Sequence, residues 1–473
     1  MRQMAAAVFL GLASLTAAAD AAPRPARIPD AALVQATRLR EQALASDLAY
    51  RITESLTTEV GARLAGSEAD ARAVAWAEAR FRALGYDRVW KEPVTFPVWE
   101  RRSERARVLG ANAQALAVTA LGGSPGGTVE GEVVRFADLA ALEAAPAGSL
   151  TGKIAFVDFA MERARDGHGY STGSRIRGRG PTTAATKGAI GYLMRSAGTD
   201  SHRMPHTGIT RFDAGVTPIP SAALAAPDAM QLARLVALGP QRVHVTLDCG
   251  WNGEATSYNV IGEIRGSRRP DEIVLIGGHL DSWDLGTGAI DDAAGIGITM
   301  AAGAMIGRLP RAPARTIRVV AFANEERGLY GGKAYAAAHA VDIAKHIVGA
   351  ESDFGAGRVY TYRSSAPAAA QAADARILEA LAPLGIQAGP AGGEGAGPDI
   401  GPIAAQGMAW AQLAQDGTDY FDLHHTADDT FDKIDPQAIA QNAAAYTVFA
   451  YLVASMEGDF GSTPKPPPAT AAP

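Results

Sequence analysis

The chain has 473 residues, of which 47% are hydrophobic and 20% charged, enough for two domains or for one large domain carrying an insertion. A formal net charge of −6 argues against general nucleic-acid binding and against attraction to anionic membranes, because both partners reward clustered Lys and Arg. The single cysteine, Cys249, excludes an intramolecular disulfide, so stability must come from packing or from bound metal.

The N-terminal stretch MRQMAAAVFLGLASLTAAADAAPRPA combines a basic Arg2, an apolar run from Met4 to Leu15 and small residues ending at Ala19 or Ala21. This is the pattern of a cleaved signal peptide over residues 1–21, and the run falls short of the ~20 apolar residues that span a bilayer. The expected mature protein is exported, to the periplasm or beyond, and soluble. Residues 31–84 carry helical periodicity, with Ser67 as the N-cap of a helix that closes at Gly85. RVWKEPVTFPVW then reads as strand. Residues 22–117 are assigned to the N-terminal part of the larger domain.

Between 118 and 247 the texture changes to short strands and Gly/Pro turns, among them VEGEVV, GKIAFVDF, GAIGYLMR and IPSAAL, which predicts a separate β-rich module inserted into the larger domain. Arg175, Arg177 and Arg179 read as a solvated loop. Gly169 to Gly173 matches the G-x-S-x-G pattern of a serine-hydrolase elbow, but such an elbow needs a buried strand before it and a helix after it. Neither MERARDGH before it nor the Gly- and Arg-rich SRIRGRGPT after it reads that way.

From Tyr258 onward strands alternate with helices, ending in a helix that starts at Pro436 and runs to about Met456. The alternation predicts an α/β fold over 248–460, with a mainly parallel central sheet and helices on both faces. Residues 461–473 read as a disordered tail.

Functional groups gather beyond the carboxyl ends of such strands. The apolar run Ile273-Val274-Leu275-Ile276 is followed by His279, Asp281 and Asp291; RVVAFAN is followed by Glu325 and Glu326; HIVGAE is followed by Asp353; and AWAQLAQDG leads into YFDLHHTADDT, with His424 and His425. Imidazole and carboxylate are zinc ligands. There are more of them than one ion needs, and two ions sharing a carboxylate account for the surplus. Of two adjacent acids leaving a strand, one can ligate while the other serves as general base.

GGHLDSWD, GAIDDAAG, FANEERGLYGG, ESDFG and HHTADDT, in this order, resemble the co-catalytic zinc exopeptidases: bacterial leucyl aminopeptidases, glutamate carboxypeptidase and, nearest in pattern, carboxypeptidase Q. The resemblance covers Tyr258 to Met456, and the inserted module is similar to the protease-associated insert of the same relatives. It implies the zinc exopeptidase fold and two Zn2+ per chain, one held by His279, Asp291 and Asp353 and the other by Asp291, Glu326 and His425. It further implies that Glu325 is the general base, that Asp281 orients His279, and that a cis peptide joins Asp291 to Asp292. His425 rather than His424 is the ligand because it precedes Thr426 with Asp429-Thr430 at the family's spacing; His424 either donates to the oxyanion or packs near the metal. Asp284, Asp292, Asp428 and Asp429 are expected in turn capping or hydrogen bonding to the ligands. His168, His202, His206, His244, His339 and His346 are expected outside the ligand set.

The substrates implied are dipeptides or short peptides, with carboxypeptidase Q-like cleavage favoured, aminopeptidase action as the alternative and a homodimer as the assembly. Two other readings fit less well. An inactive peptide-binding relative does not need an intact Glu325 and five ligands, and single-zinc glutaminyl cyclase chemistry does not need two half-sites.

Overall fold

Ile273-Val274-Leu275-Ile276 lies within a strand, Arg269–His279, that is buried from Ile273 to its end. The chain is a computed structural model that describes residues 25–390 and 395–463. The expected signal peptide and most of the expected tail lie outside the described residues. Within the tail, Ser462 is pinned by donating to the carbonyls of His346 and Ile347, and the Thr463 N–H bonds to Gly407.

Three parallel strands carry the site: Arg269–His279 lies between Arg315–Phe322 and His346–Glu351. The last two are buried at every residue, as strands covered on both faces must be. One cover is the helix Ala294–Gly307, buried over all but its last residue. Together with the turn before it, Ala289–Gly307 is apolar enough to resemble a membrane span, but it is wholly enclosed as a core helix. The helix Pro436–Ser455 packs beside it, its N-terminal N–H groups capped by the Asp435 carboxylate. The N-terminal helices Asp30–Leu44 and Leu48–Ser55 close over these two. Ser67 caps the helix Glu68–Ala83, accepting the Asp70 N–H as its sequence position predicts.

The expectation of a mainly parallel sheet needs correction, because the sheet is mixed. Its longest ladder, Arg88–Val108 against Arg242–Ile264, is antiparallel, and Arg242–Ile264 is also antiparallel to Arg315–Phe322. A period-2 pattern fixes which face is buried but not which way a neighbour runs. This ribbon continues into residues 118–247, where Gly127–Phe136, Ile154–Val157, Gly191–Arg195 and Ser221–Leu224 extend the same sheet. The ladder shifts register between Pro97 and Trp99 and between Arg101 and Ser103, midway along the ribbon.

Two further expectations change. Residues 118–247 include the helices Tyr170–Thr186 and Ala226–Leu238, so this part is mixed α/β rather than simply β-rich. Arg175, Arg177 and Arg179 therefore sit on a helix, and Arg177 is buried. The Gly residues and Pro181 suggested a loop, yet Gly180 is needed for close approach, since a Cβ there would collide with the Tyr192 ring. A helix does follow Gly169, contrary to expectation, but no strand leads into it and the Ser171 hydroxyl donates to the His168 carbonyl. The strand Ala411–Gln415 belongs to a separate three-stranded sheet with Val359–Ser364 and Gln387–Ala388.

Candidate metal centre

Each of the three parallel strands ends in a turn that delivers carboxylate or imidazole to one place. Past Arg269–His279, the His279 Nε2 comes within 3.1 Å of Asp291 Oδ1 and 3.5 Å of Asp353 Oδ1. The His425 Nε2 lies 3.0 Å from Glu326 Oε2 and 3.3 Å from Asp291 Oδ2. Asp291 is thus shared by both groups, one oxygen toward each. The bond from Asp291 to Asp292 is cis, as the resemblance implies.

In both histidines the second ring nitrogen is committed. His279 Nδ1 donates to the Asp281 carbonyl at 3.0 Å, and His425 Nδ1 donates to the Thr207 carbonyl at 3.2 Å. A carbonyl only accepts, so each ring turns its other nitrogen toward carboxylate oxygen. A lone pair facing a carboxylate needs a cation between them. Asp291 Oδ2 and Glu326 Oε1 are buried without a hydrogen-bond partner, which marks the same need. In a metal-free chain protons fill it: burial would lower the His425 ring, but Glu326 and Asp291 push it up to about 9. Nitrogen and oxygen donors in compact groups, His279-Asp291-Glu326 among them, fit zinc.

The remaining expected residues fall around these groups. The Asp281 carboxylate lies within ion-pair distance of His279 Nδ1, at 3.6 Å, and accepts the Glu325 N–H at 3.0 Å, while the Asp281 backbone carbonyl accepts from the same ring nitrogen. Glu325 leaves a turn in which Asn324 adopts a left-handed φ of 51°, and burial, with Asp353 and Glu326 adding to it, lifts its carboxyl well above the usual range despite the opposing pull of His279. Asp292 accepts N–H groups from His279 and Gly295. Asp429 accepts those of Ala289 and Ile290, Asp284 takes a two-pronged contact from Arg101, and Asp428 pairs with Lys433. Asp292 also falls in a compact group with His279 and Asp353 that could hold a metal ion.

His424 stacks on His425 with ring centroids 3.5 Å apart and reaches Asp291 Oδ2 at 3.5 Å, but it makes no ion pair with Glu326. Its Nδ1 has no partner, and burial together with His425 holds the ring well below its ordinary range, hence neutral.

Four supporting residues had no signature in the sequence. Arg63, fully buried, donates to the carbonyls of Leu280, Thr287 and Gly288 and so ties down the loop between His279 and Asp291. Arg177 donates to the Tyr170 hydroxyl, and Tyr170 meets the His424 ring edge-on at 5.0 Å. His206 bonds to the His424 carbonyl. Asp399 accepts the Gly332 N–H, and burial pushes its carboxyl up to about 8. Arg63, His206 and Asp399 have partners distant in sequence, and Arg177 and Tyr170, seven positions apart, sit on a helix that the sequence did not suggest, so no local spacing pointed to them. His168, His202, His244, His339 and His346 make no contact with the proposed ligands among the described residues, as expected.

Residues 259–450 match Peptidase family M28. The chain is 34% identical to carboxypeptidase Q of Xenopus laevis over 418 residues, covering 87% of each protein. The crystal structure of a peptidase M28 precursor from Shewanella amazonensis superposes with a TM-score of 0.88 at 49% identity, over 93% of this chain and 99% of that one. A zinc aminopeptidase from Bacillus subtilis shares the fold alone, with a TM-score of 0.61 at 18% identity over 85% of this chain and 94% of that one. With that likeness over nearly its whole length, and with a buried imidazole–carboxylate centre at the strand ends, the chain belongs to peptidase family M28 and is a metallo-exopeptidase.

Proposed function

We propose that the chain is a two-zinc exopeptidase that cleaves dipeptides or short peptides by recognising their free carboxyl terminus, in the manner the name carboxypeptidase Q implies for its relatives. His279, Asp291 and Asp353 hold one zinc in this reading, and Asp291, Glu326 and His425 hold the other. Such a pair supplies Lewis acidity and an acidified water. The chain's own residues do the rest. Glu325, its backbone N–H fixed by Asp281, takes a proton from the attacking water and passes it to the leaving amine. His424, kept neutral, packs against His425 with one edge free to donate to the developing oxyanion.

The observation that carries carboxyl recognition is Arg177. It is 6% exposed, has no carboxylate within 4.0 Å among the described residues, and its Nε has no partner. A buried guanidinium without a counter-ion is costly, and a substrate carboxylate repays that cost. Arg177 lies beside the centre through Tyr170 and through the Thr207 carbonyl, which its Nη1 and the His425 ring share. It comes from residues 118–247, which we take to be a protease-associated module inserted into the peptidase domain.

The same reading carries an exported enzyme, resting on Arg2 and the apolar run after it, and a homodimer, resting on resemblance. The test is a panel of free, N-acetylated and C-amidated dipeptides. Amidation should lower kcat/KM by about 10–100-fold, the value of one charged hydrogen bond, while acetylation leaves hydrolysis in place. Loss of activity on acetylation instead would establish amino-terminal recognition and aminopeptidase action.

A further inference from the structure

The His424-His425 segment is held in a conformation that it does not favour by itself. His425 has φ 63°, left-handed for a residue with a side chain. Its flanks are gripped from residues 199–207. The Thr199 N–H donates to the Phe421 carbonyl, the Thr207 N–H donates to the His425 carbonyl at 3.0 Å, and His425 Nδ1 donates back to the Thr207 carbonyl. Between these anchors His206 Nδ1 donates to the His424 carbonyl at 2.7 Å. The other ring nitrogen of His206 meets Asp200 Oδ1 at 2.8 Å, and the two side chains are each 1% exposed.

The rest of the surroundings fix that ring. The His206 N–H bonds to Ser196 Oγ, and the second Asp200 oxygen accepts the His202 N–H. Gly198 lies flat against the imidazole, where a Cβ would collide with it. A buried histidine with a carboxylate on one side and a ligand-bearing loop on the other resembles the carboxylate–histidine supports that orient metal ligands. Here the support acts on backbone, one residue before the ligand.

We propose that His206 is a positioning residue for the Glu326–His425 half of the centre, with Asp200 setting its ring, so that residues 118–247 complete one metal site. The inference rests on the two-zinc reading above. It predicts an asymmetry that a merely stabilising contact does not produce: loss of His206 weakens one zinc and leaves the other alone.

The experiment is a zinc titration of the chelator-stripped full chain against a chromophoric chelator, with steady-state kinetics on a free dipeptide. Wild type should bind two zinc ions. His206→Ala should weaken one of them by about 10–100-fold, the usual effect of removing such a support, and lower kcat with KM unchanged. His206→Asn, whose amide can donate to the His424 carbonyl from near the Nδ1 position, should recover most of both losses. Asp200→Asn should shift the same zinc in the same direction by less, and it carries the comparison if the Ala variant does not fold. A wild-type chain that binds one zinc overturns the two-metal reading and this inference together. Two zinc ions in wild type and an unchanged pair in His206→Ala overturn the inference alone, as does equal weakening of both, or an Asn variant no better than Ala.

Discussion

The parallel strands around His279 and residues 118–247 extend one sheet, yet they reveal themselves in the sequence very differently. Around His279 most functional groups lie at or shortly after a buried parallel strand, His279 at the end of one and Glu325, Glu326 and Asp353 just past two others, so apolar runs and the charges after them point to the site without knowledge of the fold. In 118–247 the groups that touch the centre are Tyr170, Arg177, His206 and Thr207, on a helix and a loop with no pattern of their own. One region supplies the candidate ligands, and the other makes hydrogen bonds to the segment that carries His424 and His425. Residues that act through tertiary contact carry no spacing.

The comparison breaks first at His425. His425→Ala should reduce zinc toward one per chain and abolish turnover, whereas His424→Ala, which removes the ring that makes no ion pair with Glu326, should keep both metals and only slow catalysis. Metal analysis of the two variants decides the register. Glu325→Gln should keep zinc and lower kcat at least ~10²-fold; near-normal turnover would remove Glu325 as the base and leave the strand-end logic without its central acid.

The third test asks whether the far end of the same strands is separate from the chemistry. His346 opens its strand away from the centre, its Nε2 accepting the Tyr335 hydroxyl proton and its Nδ1 donating to the Asp342 carbonyl. Burial holds the ring down to about 4, against 6.5 in the unfolded chain. The unfolded state therefore takes up the proton first on acidification. The stability tied to neutral His346 is complete above pH 6.5 and is lost as pH falls toward 4, by up to about 3 kcal/mol. Urea unfolding of wild type and His346→Gln across that window should show the steeper loss in wild type; equal slopes would show a charged ring in the native state.

The smallest effect belongs to the contact between the two regions. A Cβ at Gly122 would collide with the Trp283 indole, which packs against His425 at 5.7 Å between ring centroids. Gly122→Ala should cost about 1–3 kcal/mol by overpacking, and the displaced indole should reduce turnover beyond what the stability loss explains. A drop in melting temperature with unchanged kcat would make this contact structural only.

Some elements were legible residue by residue. The strand Arg269–His279, the cap at Ser67 and the start of the last helix at Pro436 follow from apolar periodicity and end chemistry, which act within a few residues. The helix Tyr170–Thr186 was not legible, because its glycines and Pro181 have poor helix propensity and packing against Tyr192 outweighs that preference. The direction of the ladder between Arg88–Val108 and Arg242–Ile264 was hidden too, since alternation is the same in parallel and antiparallel neighbours.

By itself the sequence placed imidazoles and carboxylates after apolar runs and two adjacent acids after one strand, while the choice of His425 over His424 rests on the family resemblance. Only the tertiary structure decided how those groups are held. Asp281 supports Glu325 by its side chain and His279 by its backbone, Arg63 gathers three loop carbonyls, and His206 reaches the His424 carbonyl across 218 positions of sequence. Ligand identity depends on side-chain type, which is written locally. Orientation depends on which backbone donors and acceptors meet in space, and every residue carries those alike.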